Sequence, residues 1–372
     1  MPNPFTDILN KVTDFLKKGS TETGSVVGID IGSSSIKVVQ LREKGGKAIL
    51  ETYGELSLGP LAGLQNGELT NLPNDKLSQA LTDALKSSEV TAKSAAISIP
   101  STASLIFTVE IPAIVSEKDM STIISTEARK YIPVPISEVS LDWWIIPRQE
   151  NYAEEAPSAG KKTEVLVAAI HNETINRYKE ILKTAGLQTD VFEIEIFSNI
   201  RSCFGHEISA VLLMDFGASK TKLSIIDNGI VRVFHIVNRG AYDISNGISK
   251  SLSLPFEKAE ELKRQNGLLG EGDKRNITDI AKLSVDYIFS ETNSVILNYE
   301  KKYNRALSKV FLTGGGALLK GMAEAAAGTF RSDVVLADPF SKTETPAFLG
   351  DILKSIGPEF SVALGLALRK LK

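Results

Sequence analysis

The chain holds a single cysteine, Cys203, and only three histidines, His171, His206 and His235, in 372 residues. One cysteine excludes an internal disulfide and fits a reducing compartment. Its helical context marks it as a small core residue. The scattered histidines, with Cys203, lack the spacing of zinc ligands. No apolar run approaches the ~18 residues that a membrane-spanning helix needs. The opening "MPNPFTDILNKVTDFLKKGS" has no unbroken apolar stretch of the secretory kind. A net charge of −3 gives no basic excess of the sort that marks nucleic-acid binders. With 42% apolar and 23% charged residues, the composition is that of a soluble globular protein. The length allows two domains, and the expected location is the cytoplasm.

Residues 1–23 carry Phe5, Ile8, Leu9, Val12, Phe15 and Leu16 on one helical face, followed by the linker-like "KKGSTETGS". The face suits docking on the body or on a neighbour, or an anchor at a membrane surface. From Val26 the pattern is β-rich: strands at 26–31, 36–41 and 48–53, with Gly45-Gly46 turning the last hairpin. "NDKLSQALTDALKSS" is an amphipathic helix and "SAAISIP" a buried strand. Residues 101–170 read as a compact α+β insert. It holds a strand at 104–111, a helix opened by Ser116 with Asp119 and stopped by Pro133 and Pro135, and strands at 140–147 and 163–170. The helix face runs Met120, Ile123, Ile124, Ala128, Tyr131. The polar stretch 148–162 between the last two strands is a loop. "NETINRYKEILKTAGL" is a helix with Asn172 as N-cap and Gly186 as C-cap. "VFEIEIF" alternates apolar and acidic residues as a strand does.

The β-rich pattern restarts at Val211, and the restart is a repeat. "VGIDIGSSSIKVVQL" (27–41) aligns with "LLMDFGASKTKLSII" (212–226) at a constant offset of 185, without a gap. Asp30 meets Asp215, Gly32 meets Gly217, Ser34 meets Ser219 and Lys37 meets Lys222. A hairpin turn follows both copies. So large a period indicates two related units facing each other rather than a solenoid. Each copy ends a strand in Asp and a small-residue turn. Backbone N–H groups in such turns form an anion cradle, and glycine lets phosphate approach. This makes Gly32, Ser33, Ser34, Ser35 and Lys37, with Gly217, Ala218, Ser219 and Lys220, candidate phosphate contacts. Asp30 and Asp215 are candidate Mg2+ ligands, because carboxylate and phosphate would otherwise repel. A third element, "KVFLTGGGALLKGM", runs from a strand into Gly314-Gly315-Gly316 and a helix expected near Ala317, a place for an adenosine group. The lysine-bearing P-loop pattern is absent.

Two Asp–Gly turns with a late "TGGG" resemble the actin-like ATPase superfamily over about residues 24–370. The fold implied is α/β: a two-lobed actin-like ATPase fold, with a duplicated mixed β-sheet flanked by helices and a small α+β subdomain inserted in the first lobe. The implied organisation is 24–100 plus 171–210 as first lobe, 101–170 as insert, and 211–372 as second lobe with a helical subdomain around 247–300. ATP or ADP with Mg2+ is the implied cofactor. "FEKAEELKR" resembles the helix whose Glu and Lys reach the nucleoside, here Glu260 and Lys263, with ordinary i,i+3 surface pairing as the alternative. Glu195 lies where relatives place the residue that orients the attacking water. Glu193 shares its strand face, and a solvated acidic face is the alternative for both. Where members often pair glycines after the second hairpin, this chain has "VNRGAYD" with Gly240 alone. Weak turnover at most is implied.

Within the superfamily, "EARKYIPVPISEVSLDW" and "FSVALGLALRK" resemble the PilM family of type IV pilus assembly. That resemblance implies a cytoplasmic protein docked at the inner membrane through the cytoplasmic N-terminal peptide of a PilN-like single-pass partner. The peptide would lie along Tyr131, Ile132, Val134 and Ile136 of the insert, with packing of the insert's own sheet as the alternative for these side chains. The bacterial cell-division actin homologue, a filament former, is the nearest competitor, and an actin-fold small-molecule kinase a more distant one.

Overall fold

The computed structural model describes residues 24–112, 117–146, 162–205 and 207–371. The candidate N-terminal helix, Ser116 of the capping pair and 148–161 of the polar stretch lie outside the described residues.

Two five-stranded sheets carry the fold. The first joins β1 (Val26–Ile31), β2 (Ser35–Lys44), β3 (Lys47–Ser57), β4 (Ser94–Ile99) and β8 (Gln188–Ile194) in the order β3-β2-β1-β4-β8. The second joins β9 (Val211–Phe216), β10 (Thr221–Asp227), β11 (Ile230–Val237), β12 (Lys309–Thr313) and β13 (Asp333–Leu336) in the order β11-β10-β9-β12-β13. The topology is the same in both. In each, the middle strand pairs antiparallel with the next strand and parallel with the following one. The repeat extends to a shared irregularity: a register shift falls between Gln40 and Leu41 and again between Ile225 and Ile226. Gly45, Gly46, Asn228 and Gly229 all have positive φ, as tight hairpins of matching twist require.

The central strands read as continuous apolar runs because both faces are covered. On the first sheet, α1 (Asn74–Ser87) and α3 (Asn172–Thr184) pack Leu81, Ala84 and Ile181 against Ile29 and Ile97. The opposite face receives the last helix, here α10 (Ser361–Leu371), through Ala363, Leu364 and Ala367. The chain thus returns from the second sheet to close the first. On the second sheet, α5 (Ala241–Leu252), α6 (Phe256–Asn266) and α7 (Arg275–Tyr303) supply Ile244, Ile248, Ala259, Ile288 and Tyr299. Three further helices belong to the body: α4 (Glu195–Cys203), α8 (Met322–Thr329) and α9 (Gly350–Ile356).

A separate antiparallel sheet, β5 (Ser104–Pro112), β7 (Lys162–His171) and β6 (Val139–Ile145), runs in the order β5-β7-β6. On one face α2 (Glu117–Ala128) places Ile124 and Ala128 on Val109, Ile111, Val165, Val167 and Ala169. The alternate residues Leu166 and Ala168 join a cluster with Ile194, Val211 and Phe311. The two-residue period of a strand thus fastens this sheet to the body.

Four expectations need correction. The alternating stretch "VFEIEIF" is a strand only to Ile194, and Glu195 opens α4. Glu193 is not on a solvated face: it is buried and pairs with Arg201 and with Arg369 of α10. The helix of the insert ends at Ala128, so Tyr131 leaves the helical face and stacks on Phe107 at 4.9 Å, 53% exposed. Ile132, read as part of an outer edge, is buried at 6% in the insert's own core, and Val134 and Ile136 pack against that core half-buried.

Candidate nucleotide cleft

Both repeat turns are built alike. The Gly32 N–H donates to the Ser35 carbonyl at 2.9 Å, and the Gly217 N–H donates to the Lys220 carbonyl at 3.1 Å. The first turn is braced by the segment between β3 and α1, because the Thr70 N–H donates to the Ser33 carbonyl. The second is braced by α5, whose Ala241 and Tyr242 N–H groups donate to the carbonyls of Gly217 and Ala218. Both turns face one cavity of about 630 Å3. It is lined by Asp30, Gly32, Ser33, Ser34, Ser35 and Lys37, and by Asp215, Gly217, Ala218, Ser219 and Lys220. Gly314, Gly315, Gly316, Glu260, Lys263 and Glu195 line it as well. Every candidate named for nucleotide or metal faces this space except Gly240. Gly240 caps α5: its N–H donates to Asp243, and a Cβ there would lie 2.3 Å from the Ala218 carbonyl oxygen. Its glycine therefore answers to the turn packed against it.

The three glycines of "TGGG" differ in purpose. Gly314 has φ +81°, and a Cβ there would lie 2.5 Å from Asp215 Oδ1. At Gly316 a Cβ would strike the Phe216 ring at 2.4 Å. At Gly315 it would meet only the Glu359 side chain, at 3.7 Å. Packing thus explains the first and last and leaves the middle one open to the cavity. The expected helix near Ala317 is instead a single 3-10 turn, Gly315–Leu318, and α8 begins at Met322. Flat backbone, rather than a long helix dipole, is what this corner presents.

Glu260 and Lys263 are not a surface pair. They are 9% and 7% exposed and bonded to each other at 2.7 Å. Ser245 donates to Glu260 at 2.6 Å and Arg264 at 2.7 Å. Burial alone would raise the Glu260 carboxyl, but Lys263, Ser245 and Arg264 bring it below its ordinary range. The Lys263 ammonium is lowered by burial, against the pull of Glu260. Gly67, in the segment between β3 and α1, sits against Glu260, so the mouth is bounded from both sides.

The floor of the cleft is electrostatically crowded. Asp30 accepts from Ser98 Oγ at 2.7 Å. Burial pushes its carboxyl up to about 6, with the nearby Glu195 charge adding to the effect and Ser98, Lys222 and Lys37 opposing it. Asp215 is raised by burial and by Glu195, against Lys222. Glu195 accepts from the Ser101 N–H at 2.7 Å and from Lys222 Nζ at 2.7 Å. Lys222 also reaches Asp215 at 3.2 Å. Burial lowers the Lys222 ammonium, but the Asp215 and Glu195 charges outweigh it and hold the group well above its ordinary value. Among the described residues, no group of three or more His, Cys, Asp or Glu side chains could hold a metal by itself. Asp30 and Asp215 nevertheless fit a hard divalent cation that takes its remaining oxygens from phosphate and water. Both are carboxylates whose ionisation is opposed chiefly by burial, with the Glu195 charge adding to it, so a cation would favour their charged form.

One consequence concerns pH. The folded state holds the Asp30 proton up to about pH 6, against an ordinary value of 3.8. Its contribution to stability therefore falls as pH rises from about 4 to about 6. Asp30→Asn removes that penalty. Without nucleotide, the variant melts above the parent at pH 7 and level with it near pH 4, by calorimetry. An equal difference at both pH values contradicts the assignment.

Lys222, Arg264, Glu359 and Thr70 also line the cavity, beyond the candidates read from the sequence. The repeat held a signal for Lys222, since it aligns with Lys37. The others reach the cavity only through tertiary packing.

The comparisons with known proteins come down on the same side. The family described as type IV pilus assembly protein PilM matches residues 28–371. The chain belongs to the PilM family. A solved PilM–PilN type IV pilus biogenesis complex is similar at 23% identity and TM-score 0.77, over 95% of this chain and 100% of that one. The actin-like MreB5 of Spiroplasma citri bound to ADP is similar at 11% identity and TM-score 0.51, over 94% and 96%. Cell division protein FtsA of Pseudomonas aeruginosa is 22% identical over 95% of this chain and 91% of its own. These likenesses establish the two-lobed actin-like ATPase fold for this PilM-family chain. No helix among its described residues is long and apolar enough to cross a membrane.

Proposed function

We propose that this PilM-family protein binds ATP or ADP with Mg2+ in the cleft. We propose further that it docks on the inner-membrane pilus platform through the cytoplasmic N-terminal peptide of a PilN-like partner. The observation that carries the first part is convergence. Two turns 185 residues apart, a triple-glycine turn and the buried Glu260–Lys263 pair all line one cavity. In this reading 24–100 with 171–210 forms one lobe, 211–372 the other, and 101–170 the inserted subdomain. The serine turn and Gly217–Lys220 cradle phosphate, Gly315 admits the nucleoside, and Glu260 and Lys263 position the ribose or adenine. Bound Mg2+ screens phosphate charge, and Asp30 and Asp215 hold it directly or through water. In the resting cleft Glu195 has both oxygens engaged, by Ser101 and Lys222, and would have to give up one of these partners before it could orient water. Slow turnover follows. Nucleotide acts by stabilising the closed lobes and the groove they shape.

For docking, the similar PilM–PilN complex supports the partner class. The candidate surface is that of the insert, where Tyr131, Trp144 and Ile145 are exposed and β6 is an edge strand. Ile132 is buried in the insert's own core, so the reading rests on Tyr131 and the outer parts of Val134 and Ile136.

Thermal melting tests the nucleotide part. At 100-fold excess over its dissociation constant, ligand adds about 2.7 kcal/mol to the folded state. Mg-ATP is expected to raise the melting temperature of the parent, and Asp215→Asn to lose the Mg2+-dependent share of the rise. A variant that matches the parent with Mg-ATP leaves the duplicated turns a structural role only.

A further inference from the structure

The nucleotide reading leaves one buried charge without a role. Lys222 of β10 lies opposite Asp215 of β9, as Lys37 of β2 lies opposite Asp30 of β1. The two lysines have diverged in what they touch. Lys37 bonds Ser35 Oγ and Glu55 at the rim of the cavity, each at 2.7 Å. Lys222 turns to the floor, with Nζ 2.7 Å from Glu195 Oε2 and 3.2 Å from Asp215 Oδ2. Its side chain is 17% exposed, and those of its partners are 10% and 11%. An ammonium between two buried carboxylates supplies the charge that a divalent cation would supply to the same oxygens. The two cannot share the place, because like charges a few ångströms apart repel strongly where water is scarce.

We propose that Lys222 is a tethered cation that competes with Mg2+ for Asp215 and Glu195, and so sets how tightly the cleft holds the metal. Lys222 is a positioning residue here. It keeps Asp215 and Glu195 paired in the resting cleft and releases them only when a metal displaces its ammonium. The proposal rests on the nucleotide reading for its purpose, but its test needs no nucleotide.

The test is a Mn2+ titration, read by electron paramagnetic resonance, of the full chain, Lys222→Met and Lys222→Arg. Melting of each in EDTA and in Mg2+ accompanies it. Negative coupling of the usual size makes Mn2+ bind Lys222→Met about 5- to 150-fold more tightly than the parent. Lys222→Arg, which keeps the cation, is expected to match the parent. In EDTA Lys222→Met melts below the parent, because three carboxylates then face each other with only Lys37, itself bonded to Glu55, to oppose their charge; Mg2+ restores it. Mn2+ affinity unchanged in Lys222→Met overturns the proposal. So does a melting deficit that Mg2+ leaves in place, including a variant unfolded under both conditions. Failure of the parent to bind ATP, with Lys222→Met behaving as expected, sinks the nucleotide reading and leaves the cation competition standing.

Discussion

Gly315→Val abolishes nucleotide binding and leaves the fold standing. The expectation comes from the contrast within one tripeptide. A side chain at Gly314 would meet Asp215 and Phe216 at positive φ, and one at Gly316 would overlap the Phe216 ring. Either substitution disturbs packing first. At Gly315 the first carbon of a side chain meets only Glu359, at ordinary contact distance, and the remainder projects into the cavity. Valine there occupies space the nucleoside needs. A loss of at least about 100-fold in affinity is expected, since adjoining backbone cannot move away without breaking its own contacts. Far-UV circular dichroism and the nucleotide-free melting temperature should stay near the parent's. Gly316→Val serves as the contrast and is expected to lower the melting temperature. If Gly315→Val unfolds and Gly316→Val does not, the turn is arranged otherwise.

The second large effect is in the insert. Ile132→Asp places a carboxylate among Ile124, Ala128, Val139 and Val165 with no partner for its charge. Such a change costs about 4 kcal/mol or more unless the group is neutralised. The chain has two tryptophans, Trp143 and Trp144, both on β6 of this sheet. Their fluorescence therefore reports on the insert and, through Trp144 against Phe197 of α4, on its seat on the body. Ile132→Asp should shift emission to the red and melt the insert early. Tyr131→Ala, at an exposed position, should leave emission near the parent's and weaken only the binding of a PilN-like peptide. Parent-like emission and melting in Ile132→Asp would mean that the side chain does not face the core.

Much of this cleft is legible in the sequence because the evidence for it is local and repeated. An Asp at a strand end, a turn of small residues and an antiparallel return strand fix the same geometry twice, down to the hydrogen bond closing each turn. What was not legible depends on distant partners. Glu193 reads as a solvated acid until Arg369 of the last helix is placed beside it. The alternation in "EIEIF" matches a strand, yet the chain bends into α4 at Glu195, and only the resulting position brings that carboxylate to Lys222. In the insert, the helical period carries Tyr131 onto the buried face of α2. The helix ends at Ala128, so the next turn exposes Tyr131 and buries Ile132. Helix ends are set by a few residues, and an error of one turn exchanges inside for outside.

The central claim is that the cleft is an adenine-nucleotide site. Isothermal titration of ATP with Mg2+ into the full chain tests it most directly. One site per chain with saturable heat, lost in Gly315→Val, is the result predicted. No heat with ATP or ADP from a folded parent, with or without Mg2+, would contradict it.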